Sequence, residues 1–204
     1  MSTEERILEK ARDLFFRYGL RNVTMDRIAQ ELGISKKTLY ASYDKKKTIV
    51  KKITDEFIQC QEQEMTQLEQ DSSNAIEELI GIMHNINRIF ESMDFHIVYD
   101  MQRYFPESWN LFEIHKNEFI HKSLINNLEN GQKQGLYRED IHVDIIAKLR
   151  LEQIQITMDP TKFPPEKYDV KEIHKQSLIQ YMHGISTLKG HQLINTYLNR
   201  HEEV

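Results

Sequence analysis

Apolar residues recur at steps of three and four along almost the whole chain, and nowhere do they alternate with period two for long enough to make a strand. A helix turns once every 3.6 residues, so this pattern lays an apolar stripe along one face of each segment. In the first segment the stripe is Ile7, Leu8, Ala11, Leu14, Phe15 and Tyr18. Breakers are scarce, with seven Gly and four Pro in 204 residues, about half the usual frequency. The pattern predicts an all-α protein of about nine to ten helices. After three short N-terminal helices, the longer ones are expected over residues 46–70, 74–92, 95–104, 107–134, 142–158, 167–187 and 190–201.

Capping signals sharpen the N-terminal part. Ser2 and Glu5 have capping-box spacing, and Gly19 is placed to end the first helix in a left-handed cap. Thr24 opens a second helix carrying Ile28, Ala29 and Leu32, Gly33 stops it, and Ser35 caps a third holding Leu39 and Tyr40. Ala29 is small where two helices must cross, and Gly33 supplies the positive φ of a tight turn. Ile34 and Leu39 pin the third helix to the second and leave its N-terminal residues facing outward. This is the pattern of a helix-turn-helix, whose second helix enters a major groove.

Charge is distributed to match. The net charge of −5 divides into +5 over residues 1–55 and −10 over the rest, so a basic head sits on an acidic body. Such a head suits a polyanion. Ser35, Lys36, Lys37 and Thr38 cluster at the start of the third helix, where base edges and phosphates are reached. Thr24, Tyr40, Tyr43 and Lys46 complete the expected DNA-contacting set, with Tyr43 and Lys46 assigned to phosphates and Thr38 and Lys37 to bases. Lys45 and Lys47 flank Lys46 and make that corner strongly basic, with Asp44 the substitute cap for the fourth helix.

Over residues 23–49 the sequence resembles the TetR family of bacterial one-component repressors. The resemblance rests on Thr24, Ile28-Ala29, Gly33-Ile34-Ser35, Thr38-Leu39-Tyr40, Tyr43, Lys46 and their spacing, and on Gly135-Leu136-Tyr137-Arg138-Glu139-Asp140 ahead of a later helix. It implies a three-helix DNA-binding domain (residues 1–47) and a helical effector-binding and dimerisation domain (48–204). It also implies a homodimer, a small-molecule effector of unknown identity, and ligand-induced release from a palindromic double-stranded DNA operator. The alternative is a helical ligand-binding or scaffold dimer that has lost specific DNA binding.

Within the body, Pro106 separates two helices in an aromatic-rich stretch. Met83, Phe90, Tyr99, Met101, Arg103, Phe105, Trp109 and Phe112 are the expected lining of an effector cavity, apolar with few polar groups. The 142–158 helix carries apolar residues on two faces: Ile145, Ile146, Leu149 and Ile156, then Ala147, Leu151, Ile154 and Met158. The dimer contact is expected from the second face and the next helix, through Leu151, Ile154, Met158, Leu178, Tyr181, Met182 and Ile185, as a four-helix bundle across a two-fold axis.

Other classes are disfavoured. No run approaches the ~20 apolar residues of a membrane span. The single cysteine, Cys60, allows no internal disulfide and no Cys-based zinc site. Neither paired His at helical spacing nor a nucleophile elbow is present. The expectation is a cytoplasmic, nucleoid-associated bacterial protein without cofactor or metal, and not an enzyme.

Overall fold

The computed structural model describes residues 1–92 and 96–201, the side chains of residues 90–92, 200 and 201 excepted. The helices are α1 (Thr3–Asn22), α2 (Met25–Leu32), α3 (Lys36–Ser42), α4 (Lys46–Asp71), α5 (Ala75–Ser92), α6 (His96–Tyr104), α7 (Pro106–His115), α8 (His121–Lys133), α9 (Val143–Thr157), α10 (Val170–Ile185) and α11 (Leu188–His201). Among the described residues β-structure is confined to an isolated bridge between Tyr137 and Ser186. The chain is all-α. The helix expected over 107–134 is split: a π-helical turn, Lys116–Ile120, joins α7 to α8.

Two compact units form. The first comprises Met1–Gln61 and Phe90–Ile114, the second Glu62–Ile89 and His115–Val204. In the first, the α1 stripe of Ile7, Ala11 and Phe15 packs with Val23, Ile28, Leu39 and Ile49, and α6 and α7 add Ile97, Met101 and Phe105. The capping box at Ser2 forms as expected. Gly19 has the expected positive φ of 77°, but its ψ of 159° kinks α1 instead of ending it, and the helix resumes for Leu20 to Asn22. A kink orphans backbone groups, which must find partners when buried. Here the Arg21 N–H donates to Asp100 Oδ2 of α6 at 3.1 Å, and the Leu20 carbonyl accepts from Lys46 Nζ of α4.

The second unit is centred on Ile76, Leu79, Leu128, Tyr137, Leu151, Met182 and Ile194. Tyr137, fully buried, places its hydroxyl 3.1 Å from both the Ala75 carbonyl and Asn127 Oδ1. Asn127 Nδ2 donates in turn to the Ala75 carbonyl and to Glu78 Oε2. Burial pushes the Glu78 carboxyl above its usual range, and the Asn127 hydrogen bond partly offsets this. Lys116, in the π turn, is buried and donates to Gln155 Oε1 of α9 at 2.8 Å.

Most of the expected dimer face is packed within the second unit. Leu151, Leu178, Tyr181, Met182 and Ile185 are all core residues of the second unit, and Ile154 and Met158 are half-buried. The face of α9 left open is the other one, with Ile145 and Ile156 each 52% and Leu149 60% exposed. The inner face also takes Arg150 and Thr157, so its hydrophobicity understates its burial.

Buried His174 of α10 gives a pH dependence. Burial, with the nearby Arg150 guanidinium second, lowers its pKa to about 4 from 6.5. The unfolded chain therefore binds the proton first as pH falls, and stability present above 6.5 is lost between about 6.5 and 4. The loss at full development is on the order of 3 kcal/mol. Thermal melts from pH 7 to 4.5 should show this decline, and His174→Gln should flatten it; an unchanged slope in the variant sinks the assignment.

Candidate nucleic-acid interface

The α2–turn–α3 unit is built by local signals. Thr24 Oγ1 accepts the Arg27 N–H at 3.2 Å and starts α2. Gly33, left-handed at φ 65° and ψ 29°, closes it: the Gly33 N–H donates to the Gln30 carbonyl and the Ile34 N–H to the Ala29 carbonyl. Ser35 Oγ then accepts the Thr38 N–H at 3.1 Å and starts α3, while the two hydroxyls lie 2.8 Å apart. Leu39 alone among α3 residues is buried, at 0% exposure. Ser35, Lys36, Lys37, Thr38, Tyr40 and Ala41 are all exposed around it.

The expected contact residues divide into two groups. Lys37, Thr38 and Tyr40 present their side chains to solvent, as a reading helix requires. Thr24 and Ser35 are exposed too, but their oxygens are engaged as caps. Lys36 Nζ pairs with Asp26 Oδ2 at 2.6 Å, which raises its pKa. Both partners are well exposed, so solvent screens the pair and a phosphate can compete for the amine.

Tyr43 and Lys46 depart from the expectation. Tyr43 is 9% exposed and belongs to the first core, and burial pushes its phenol upward. The Lys46 ammonium is turned inward to the Leu20 carbonyl, with the Phe15 and Phe105 rings 5.7 and 5.6 Å away. Burial lowers its pKa and Asp100 partly restores it. The kinked end of α1 supplies the acceptor that a phosphate was expected to supply. Asp44, expected as the α4 cap, accepts the Thr48 hydroxyl at 2.8 Å, which holds its carboxyl below the usual range. Lys45 and Lys47 stay exposed beside it.

Arg27 was missed by sequence reasoning: its guanidinium lies over the Tyr18 ring at 4.0 Å, oriented beside the turn. A cation nine positions from an aromatic on the preceding helix carries no periodic signal. Among the described residues, no three His, Cys, Asp or Glu side chains are grouped to hold a metal. No described helix is long and apolar enough to cross a membrane.

The expected cavity lining is divided between the two units. Met83 packs in the second unit's core, whereas Met101, Phe105, Trp109 and Phe112 pack in or against the first unit's core. Tyr99 is half-buried, Arg103 is exposed, and the Phe90 side chain lies outside the described residues. The apolar faces of α6 and α7 are spent covering α1 and α4.

A short helix held by one buried leucine, with exposed lysines and hydroxyls at its start, defines a helix-turn-helix DNA-binding regulator. Residues 7–53 match the model of the bacterial regulatory proteins, tetR family. Over 189 residues it is 25% identical to the HTH-type transcriptional regulator YvaF of Bacillus subtilis, itself uncharacterized, covering 90% of this chain and 95% of that one. A transcriptional regulator from Saccharomonospora viridis, solved in complex with choline, superposes with a TM-score of 0.74 at 22% identity, covering 90% of this chain and 97% of that one. The reduced form of Escherichia coli NemR gives a TM-score of 0.72 at 13% identity, covering 91% and 98%. At these identities the two solved structures attest the fold.

Proposed function

We propose that the protein is a homodimeric, ligand-responsive transcriptional repressor that binds a palindromic operator through α2 and α3. The observation that carries this is the exposure of Ser35 to Thr38 and of Tyr40 around a fully buried Leu39. DNA contact is assigned to residues 1–47, and effector and subunit contacts to 48–204. Lys37 and Thr38 face base edges; Lys36, Tyr40 and the flanking Lys45 and Lys47 face phosphates. Thr24 and Ser35 take part through the backbone they cap. Affinity then comes mainly from phosphate contacts and counterion release, and specificity from the start of α3.

A palindrome requires two recognition helices about 34–36 Å apart. The open face of α9, with Ile145, Leu149 and Ile156, supplies the apolar surface for the second copy. Release requires an effector that prefers the non-binding state; moving occupancy from 99:1 to 1:99 takes about 5.5 kcal/mol of differential binding. The effector is a small molecule, as choline is in the Saccharomonospora viridis complex.

The test is fluorescence anisotropy with the DNA upstream of the protein's own gene, across a salt series. Specific binding should weaken steeply with salt. Lys47→Ala should weaken binding to all duplexes and lower the salt slope by about one, whereas Thr38→Ala should change preference among base variants. Equal and weak affinity for every duplex would overturn the reading in favour of a scaffold dimer.

A further inference from the structure

Arg150, midway along α9, is 5% exposed. Its Nη1 donates to Ser177 Oγ of α10 and to Gln153 Oε1, both at 2.9 Å, and its guanidinium lies over the Tyr181 ring, 5.1 Å from the centroid. Among the described residues it has no carboxylate partner. Burial lowers its pKa to about 10, so it stays charged at neutral pH, and the other influence on it is Tyr181. Two turns further along α9, Thr157 lies 3.2 Å from His174, which is held neutral. The Tyr181 hydroxyl is buried with no hydrogen-bond partner among the described residues, yet close enough for Arg150 to draw its pKa back down.

A guanidinium taken out of water without a counter-ion is one of the costliest groups a core can hold. Both described bonds leave from Nη1, so the Nε and Nη2 donors have no described acceptor. Their planar fork matches a carboxylate. The Ser177 hydroxyl accepts from Arg150 and keeps its own proton to donate, and the Tyr181 hydroxyl is an unspent donor. We propose that the α9–α10 seam at Arg150 binds the carboxylate of a small aliphatic acid, with Arg150 as its counter-ion and Ser177 and Tyr181 as further donors. Ile146, Ala147 and Leu178 of the same core flank the position and suit an alkyl body.

A second copy is a poorer source of the carboxylate. In a two-fold contact it would present the same helices. Glu152 there is paired with Lys148 at 2.9 Å, and Glu172 accepts from Gln176 at 2.7 Å. The inference deepens the ligand-responsive part of the proposed function and rests on it for its regulatory meaning, but binding itself is read without DNA, so the two can fail separately.

The experiment is thermal melting and titration calorimetry of the full chain with sodium butyrate and octanoate, against 1-butanol, 1-octanol and sodium chloride at matched ionic strength. At a hundredfold excess over Kd the carboxylates should raise Tm by about 5–10 °C, and the alcohols and chloride should not. Arg150→Met, freed of the uncompensated charge, should melt higher than wild type without ligand and bind carboxylate more than about tenfold weaker. Should that variant fail to fold, Ser177→Ala and Tyr181→Phe keep the guanidinium and should each weaken binding by about three- to tenfold. No carboxylate response, an equal response to alcohol or chloride, or full affinity in the variants overturns the proposal. So does an Arg150→Met protein whose one change is weaker self-association in sedimentation, which would move Arg150 to the subunit contact.

Discussion

Leu39→Ala is expected to abolish sequence-specific DNA binding and to destabilise the first unit by about 2–5 kcal/mol. The α3 helix has seven residues, too few to persist in water without tertiary support. The Ser35 cap contributes about 1 kcal/mol, well short of what such a helix needs. Leu39, at 0% exposure, is its one buried residue and therefore its anchor to Ile28 and Ile49 in the core. Removing it leaves a cavity under the helix and frees Lys37 and Thr38 from a fixed direction. Denaturant unfolding and anisotropy check this together. A variant with wild-type stability and undiminished operator affinity would show that α3 is held by something else, whereas Lys37→Ala provides the folded control with altered DNA affinity.

Gly131→Ala should be still more damaging for its size. In α8, a Cβ at this position would overlap the Tyr137 ring itself. That ring cannot swing away cheaply, because it is fully buried and its hydroxyl is fixed between Ala75 and Asn127. Overpacking a core by one methyl costs about 1–3 kcal/mol where neighbours can give way. Here the neighbour is pinned, and a loss at or above the top of that range is expected, about 6–12 °C in Tm for a chain of this size. Tyr137→Leu in the same chain should recover part of the loss, the sign of a coupled pair. Additive losses in the double variant would argue that Gly131 acts through something other than this contact.

The helices were legible because their signals are local. Ser2, Thr24, Gly33 and Ser35 act within four residues of themselves, and each sits where sequence reasoning put it. Partners were not legible. Periodicity says that Met101 and Phe105 share an apolar face, but not that α1 and α4 would be beneath it; the same residues read equally well as a cavity wall. On α9 both faces were apolar, and the inner one was the face that also held Arg150 and Thr157, which a hydrophobicity argument discounts. Tyr43 and Lys46 turn inward for a related reason. Each has a long apolar body with a polar tip, and such side chains can bury the body either way. The kink at Gly19, which decides where the Lys46 ammonium goes, is set by a ψ that no residue type announces.

The assignment of residues 90–114 to the first unit bears on protein engineering. A chimera that borrows this reading head as a cassette ending near residue 61 would leave behind Ile97, Met101 and Phe105, and with them the Asp100 carboxylate that quiets the Arg21 amide at the bend. The grafted piece would carry an uncovered greasy underside and an orphaned donor. A transplant that works must import the later segment as well.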